Sequence, residues 1–364
     1  MKHQAINWAA FETLDSMRRL QGTALDTLGL VPIEHPYRTV FASSTVSLRR
    51  YGTGRERGPA VLIVPAPIKR PYVWDLAPEI SVVGRCLAAD AQVFLMEWRA
   101  IDADVGLSEF ADRAILDCLN AIEHTQAILL GHSLGGLFAA IFSALHPERV
   151  KGLALITAPL HFAADVGVFG PIVADVDLGD IPDSVPGSFL SVMSFRSAPV
   201  TFGWERGMDW LCSLGDPVAL RSHLQVERWT LDESPLPRRL FAEVVNQLVR
   251  ENRFARGELV IGGRRAAPSQ VTAPLLCVVD PRCRVVPLSS VLPFYEAVAS
   301  HEKALLHYHG DVGVSLQHLG VLVGKSAHAF LWPEILSWIQ IHGADRKGKA
   351  LARIVPLARD KTAE

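Results

Sequence analysis

The spacing of hydrophobic positions changes several times along the chain, and each change marks an element. Between residues 6 and 28, Ile6, Trp8, Phe11, Leu14, Met17, Leu20, Leu25 and Leu28 recur mostly three apart. That spacing predicts an amphipathic helix, with Gly22 offering a break. Its polar face mixes both signs of charge, which fits packing on its own domain better than a basic membrane-binding helix. A partner or lipid-like surface is the alternative. Short β-type runs in Thr39–Tyr51, on either side of Ala42-Ser43-Ser44, predict a hairpin.

From Ala60 the alternation is regular. It predicts strand Val61–Val64, helix Ile80–Leu87, strand Gln92–Glu97, helix Leu107–Glu123, strand Ala127–Leu130, helix Leu134–Leu145 and strand Gly152–Thr157. Strands joined by crossover helices build a parallel sheet covered on both faces. After Pro159 the rhythm is lost. Residues 161–255 are rich in Asp, Pro, Gly and aromatics, with helical pieces near Trp204–Leu214 and Leu240–Asn252, and are expected to form an inserted cap. The rhythm resumes with strand Leu275–Val279, helix Leu288–Val298, strand Ala304–His309 and a closing helix Phe330–Ile341. The expected organisation is a helical segment 1–37, an α/β core 38–160, the cap 161–255, the rest of the core 256–343, and a frayed charged tail 344–364.

Composition narrows the function classes. The 364 residues are 49% hydrophobic and 20% charged, the balance of a globular protein with a sizeable core. A formal net charge of -2 gives no electrostatic case for nucleic acid or an anionic membrane. No apolar run reaches spanning length, and the N-terminus has no secretory h-region. Five scattered cysteines, never in C-x-x-C, predict reduced thiols and a cytoplasmic location, without disulfides or a zinc site. Gly52, Gly54 and Gly58 have the wrong spacing for a dinucleotide fingerprint and lead into a strand, so they read as a turn.

The candidate chemistry centres on Gly131-His132-Ser133-Leu134-Gly135, a G-x-S-x-G motif between an apolar strand and a small-residue helix. A tight strand-to-helix elbow exposes its serine as a nucleophile and leaves no room for a Cβ at the flanking glycines. Such a serine needs a base to take its proton and an acid to orient that base. Asp280 ends the run Leu275–Val279 and is the candidate acid; His318 is the candidate base, with His309 the alternative. His132, inside the elbow, is expected to shape the pocket. The developing oxyanion needs backbone donors. Leu134 supplies one. In Pro65-Ala66-Pro67-Ile68 the prolines have no N–H, which leaves Ile68 as the second donor and Ala66 behind it. No metal or cofactor is needed.

At this point the chain resembles the polyhydroxyalkanoate synthases, a branch of the α/β-hydrolase superfamily, from about Arg38 to Trp338. The resemblance rests on Val64-Pro65-Ala66-Pro67-Ile68-Lys69-Arg70 with Tyr72 and Asp75-Leu76, and on Phe94-Leu95-Met96-Glu97-Trp98-Arg99. Leu155-Ile156-Thr157 with Asp165-Val166-Gly167-Val168-Phe169 is similar to the start of the family's cap, and Glu227-Arg228-Trp229-Thr230, Leu236-Pro237 and Glu251-Asn252-Arg253 to its return to the core. Asp280 with Val286-Pro287, and His318-Leu319-Gly320-Val321, match the acid and histidine motifs. The resemblance implies an α/β-hydrolase fold, mostly parallel, with an inserted cap, acyl or hydroxyacyl ester or CoA thioester substrates, and pairing of two copies through the cap.

Two departures bear on function. The synthase elbow is G-x-C-x-G-G, whereas this chain has serine at 133, and the stretch between Tyr308 and His318 is longer than the family's. An acyl thioester on cysteine makes transfer to an alcohol downhill; an acyl ester on serine makes the same step nearly thermoneutral. The expectation is therefore a serine esterase or thioesterase on a synthase-like frame. A serine-dependent acyltransferase, or a non-catalytic protein that docks to a partner or storage granule, is the alternative. Phe189, Phe195, Phe202, Trp204 and Trp210 are available to line a cap tunnel or fill the cap core.

Overall fold

Two short strands, Ala60–Val64 and Ala127–His132, are apolar apart from the histidine that ends the second, and every residue in them is buried. Such strands belong at the centre of a sheet covered on both sides. In the computed structural model, which describes residues 6–99, 102–122, 124–162, 167 and 176–344, they are adjacent. The eight strands of this central sheet are β1 (Tyr37–Ala42), β2 (Val46–Tyr51), β3 (Ala60–Val64), β4 (Gln92–Trp98), β5 (Ala127–His132), β6 (Val150–Ile156), β7 (Leu275–Val279) and β8 (Lys303–His307). Their spatial order is β1-β2-β4-β3-β5-β6-β7-β8. Within this sheet the β1–β2 hairpin and the β2–β4 pair are antiparallel; β4, β3, β5, β6, β7 and β8 run parallel.

Because side chains alternate along a strand, each central strand feeds two cores. Leu62, Val64 and Leu129 pack with Leu137, Phe138, Ile141 and Phe142 of helix α4. Val61, Ile63, Ile128 and Leu130 pack on the opposite face with Trp332, Ile335 and Ile339. The helices are α1 (Trp8–Leu25), α2 (Val82–Ala88), α3 (Ala114–Ala121), α4 (Ser133–Leu145), α5 (Gly187–Ser197), α6 (Arg206–Ser213), α7 (Pro217–Thr230), α8 (Arg238–Glu243), α9 (Leu292–Ala297), α10 (Gln317–Val323) and α11 (Trp332–Gly343).

Helix α1 runs through Gly22, so that glycine is not a break. A Cβ there would come within 3.0 Å of the Arg228 guanidinium, and the glycine lets α1 lie close to α7. The helical stretch continues to Leu30, with Gly29 at φ +77° near its end. Only the start of the expected apolar stripe packs on the cap: Trp8 and Phe11 stack around Phe189, with ring centroids 4.9 and 5.4 Å away, whereas Met17, Leu20 and Leu28 are exposed. The Asp15 carboxylate accepts the N–H groups of Gly187 and Ser188 at 3.2 and 2.8 Å, capping α5 from another element. A cap of this kind contributes about 1 kcal/mol. Asp26 takes a bidentate pair of hydrogen bonds from Arg228 at 2.7 and 2.8 Å. Within the cap, α5 and α7 were not predicted, and the last strand ends at His307 rather than His309. Asp165, Val166, Val168, Phe169 and the tail beyond Ala344 lie outside the described residues.

Candidate active site

Strand β5 ends at His132 and α4 begins at Ser133 with no residue between them. Ser133 has φ +53°, a left-handed conformation that costs a side-chain-bearing residue of order 1–3 kcal/mol. The two glycines explain how the turn closes. A Cβ on Gly131 would sit 2.6 Å from the Gly136 Cα, and one on Gly135 would sit 2.2 Å from the Val64 carbonyl oxygen. The elbow is therefore pressed against the end of β3, which puts the serine beside the loop leaving that strand.

Ser133 opens into a cavity of about 420 Å³ that also receives His318, His132, Ala66 and Ile68. Leu190, Phe195, Phe202 and Trp229 of the cap and Leu316 beside His318 form its apolar walls. Phe189 belongs to the buried core, while Trp204 is 69% exposed and Trp210 is exposed as well, so neither is cap core. The N–H of Leu134 lies in the first turn of α4, where helix donors have no intrahelical acceptor. The Ile68 carbonyl accepts the N–H of Ser234 at 3.1 Å, so the cap braces the loop that carries the second expected oxyanion donor.

The histidines are arranged around Ser133 but not bonded to it. His318 is 6% exposed, and its ring lies 4.7 Å from that of His132. His132 Nε2 donates to the His318 backbone carbonyl at 3.0 Å. Burial pushes the His132 ring down to about 4, and burial together with the neighbouring His132 holds His318 well below the ordinary imidazole range. Both rings are neutral at pH 7. His309, the alternative base, lines a separate cleft that contains neither Ser133 nor His318, and its carbonyl accepts from Arg282.

Asp280, expected to orient His318, makes no hydrogen bond to it. Its Oδ1 accepts the N–H of Arg282 at 2.9 Å and its Oδ2 has no hydrogen-bond partner, although the residue is 0% exposed. The reason is the turn that follows β7. The Cys283 N–H bonds the Asp280 carbonyl at 3.0 Å, folding the chain back so that the thiol meets the imidazole. Cys283 Sγ is 3.6 Å from His318 Nδ1.

The comparisons with known proteins agree with this geometry at the level of fold and lineage. Residues 59–211 match the family model described as alpha/beta hydrolase fold. The poly(3-hydroxyalkanoate) polymerase subunit PhaC of Allochromatium vinosum is 25% identical over 345 residues, covering 90% of this chain and 96% of that one. Its counterpart in Haloarcula marismortui is 26% identical over 290 residues, covering 76% of this chain but only 60% of the longer relative. The chain has the α/β-hydrolase fold and is similar to polyhydroxyalkanoate polymerase subunits over most of its length. Among solved structures, a monoacylglycerol lipase of Paleococcus ferrophilus aligns over 82% of this synthase-like chain and 99% of its own, with TM-score 0.51 and 16% identity. The enol-lactonase of Burkholderia xenovorans LB400 aligns over 84% and 99%, with TM-score 0.53 and 12% identity. These two likenesses concern the fold alone.

The synthase-like frame carries a polar group at its cavity wall that sequence reasoning missed. Lys69 Nζ bonds Glu233 Oε1 at 2.8 Å and donates to the Thr230 carbonyl; burial pushes its ammonium down to about 8. Arg18 of α1 reaches the same Glu233 at 3.2 Å and the Thr230 carbonyl at 2.7 Å. On the other side, Asp209 of α6 accepts the N–H groups of Gly313 and Ser315 at 2.9 and 2.8 Å. Cap side chains therefore hold both the oxyanion loop and the loop before His318. The one signal available was the acid-base alternation of residues 205–233, which reads equally well as a solvated surface.

Proposed function

We propose that this protein is a serine-dependent acyl hydrolase, an esterase or thioesterase acting on acyl or hydroxyacyl esters or CoA thioesters. The observation that carries the reading is Ser133, held at φ +53° on the elbow and open to the cavity that His318 shares. In the reaction, Ser133 Oγ attacks the acyl carbonyl carbon as His318 takes its proton. The carbonyl oxygen gains the electron pair and is met by the N–H groups of Leu134 and Ile68. Collapse expels the alcohol or thiol, which leaves with the proton from His318, and water repeats the sequence on the acyl-serine. The gap between Ser133 and His318 closes when substrate fills the cavity, as relay contacts commonly tighten on binding.

The walls support the substrate class. Apolar side chains face an acyl chain; of the cations along the same cavity, Arg18 and Lys69 are tied to Glu233 and Arg206 to Glu227, which leaves Arg70, 54% exposed, as the one most open to an anionic leaving group such as a CoA. The similarity to polymerase subunits over nearly the whole chain supports a second reading, acyl transfer from the serine to a hydroxyl. The choice of alcohol over thiol at position 133 favours hydrolysis, because it removes the thioester's driving force for transfer. Pairing of two copies through the cap is part of the proposal, supported by exposed Trp204, Trp210, Leu211 and Leu214.

The test is a panel of p-nitrophenyl esters, acyl-CoAs and hydroxyacyl-CoA with wild type, Ser133→Ala and Ser133→Cys. Free acid from wild type and none from Ser133→Ala is the expected result. Polymer or transfer product from wild type, with little free acid, overturns hydrolysis in favour of transfer.

A further inference from the structure

The Nδ1 edge of His318 is where relay chemistry places an orienting carboxylate. Here it meets Cys283, whose Sγ lies 3.6 Å away and also accepts the Val286 N–H at 3.3 Å. The thiol is 5% exposed. Behind it, Asp280 is fully buried with one oxygen turned to Arg282 and the other without a partner. The other charged and titratable groups around the pair are the Arg282 guanidinium, 3.5 Å from Asp280, and Glu205 with Arg284 on the Cys283 side, His132 beside the ring and, across the cavity, Arg18, Lys69, Arg70, Arg206 and Glu233.

We propose that Cys283 is the positioning residue of this relay, and that its thiol rather than the Asp280 carboxylate sets the tautomer and basicity of His318. The proposal rests on the reading of Ser133 as nucleophile and His318 as its base.

A carboxylate can only accept, so it forces the proton onto Nδ1 and leaves the Nε2 lone pair free for the serine. A thiol can accept or donate. When Sγ accepts from Nδ1–H, Nε2 is free to take the proton; when S–H donates to Nδ1, the ring's proton sits on Nε2 and the relay is blocked. Burial also pushes the Cys283 thiol up to about 11, so at neutral pH it places no anion beside the imidazolium that forms as Ser133 attacks. The consequence is a weakly basic His318 divided between two tautomers, and a nucleophile slower than the fold could support.

The experiment measures the rate of fluorophosphonate labelling at Ser133 across pH 4 to 9, together with the ¹⁵N shifts of His318, in the full chain. Cys283→Asp is expected to speed labelling by about 10²-fold, the lower end of general-base contributions. It should also move the acid limb to higher pH, because a carboxylate at Nδ1 favours the charged ring. The double variant Cys283→Asp/Asp280→Asn removes repulsion between neighbouring carboxylates and carries the same expectation. Cys283→Ser, which keeps a group able to donate and accept, should retain the wild-type profile. Cys283→Ala should slow labelling by about tenfold, less than a full general-base contribution because the imidazole itself remains. If the acid-limb midpoint moves in Asp280→Asn and stays fixed in every Cys283 variant, the carboxylate holds the ring and the proposal is overturned. If Ser133 is labelled in none of them, the nucleophile reading fails. The ¹⁵N shifts then decide the positioning claim on their own: a change in Cys283→Asp supports it and no change overturns it.

Discussion

The side chain of His132 holds the backbone of His318: Nε2 donates to that carbonyl at 3.0 Å, with the two rings 4.7 Å apart. The residue next to the nucleophile thus fixes the place of the base through the main chain. His132→Phe removes a second donor from a carbonyl at the start of helix α10, a loss of about 1 kcal/mol. It is expected to lower kcat/KM roughly tenfold, with His132→Gln, which keeps an N–H donor, recovering part of it. Ester hydrolysis and thermal melts of both variants check this.

Stability should fall on mild acidification. Burial holds His132 and His328 at about 4, below the ordinary imidazole value near 6.5 that they regain when unfolded. Protons therefore bind the unfolded chain first. The neutral rings support the fold fully above about pH 6.5, and that support is lost as the pH drops towards 4, up to about 3 kcal/mol per ring. Urea midpoints at pH 7 and pH 4.5 measure the difference; equal midpoints would contradict it.

Ser133 stores backbone strain. Ser133→Gly adopts φ +53° without that cost and should raise the melting temperature by the equivalent of about 1 kcal/mol while abolishing fluorophosphonate labelling. Calorimetry on wild type, Ser133→Ala and Ser133→Gly separates strain from the loss of the hydroxyl, since only the glycine variant relieves the torsion.

Asp209 couples the cap to the catalytic loop. Its carboxylate receives His223 Nδ1 at 2.7 Å as well as the two loop N–H groups, and although burial works the other way these partners hold it below the usual carboxylate range. Asp209→Ala should quicken amide exchange across residues 311–317 and lower kcat more than it raises KM, because the loop before His318 loses its anchor while the apolar walls stay. Exchange mass spectrometry with steady-state kinetics reads both.

Pairing through the cap predicts a particle of twice the chain mass in light scattering. Trp204→Arg with Leu211→Arg, both on exposed positions, should return it to the mass of one chain without lowering its melting temperature.

The core was legible because its strands are short and apolar throughout: Leu275–Val279 was read at its exact bounds, and the elbow announced itself through two glycines that steric contact requires. The cap was harder. Helix α5 has a face of serines and glycine, and the group that caps its start, Asp15, comes from the far end of the sequence. Helix α7 did carry a local signal, Asp216 accepting the Val218 N–H with Pro217 in the first turn, which the surrounding Pro- and Asp-rich composition masked. Cys283 was invisible for a different reason. Sequence reasoning seeks a carboxylate after the strand, and only the tight turn at Asp280–Cys283 reveals which side chain arrives at the imidazole.

The strapping of α1 across the cap limits how substrate can enter. Asp15, Arg18 and Asp26 are fastened to α5, Thr230, Glu233 and Arg228, so lifting the cap without α1 would strand several buried charges at once. Admission of a long acyl chain must instead swing α1 and the cap together as one door. Its leading hinge would fall between Leu30 and Ile33, since from Ile33 onward the chain is tied to the frame: the Ile33 N–H to the Leu76 carbonyl at 3.1 Å, Glu34 to Arg49 at 2.6 Å and His35 to Asp75 at 2.8 Å.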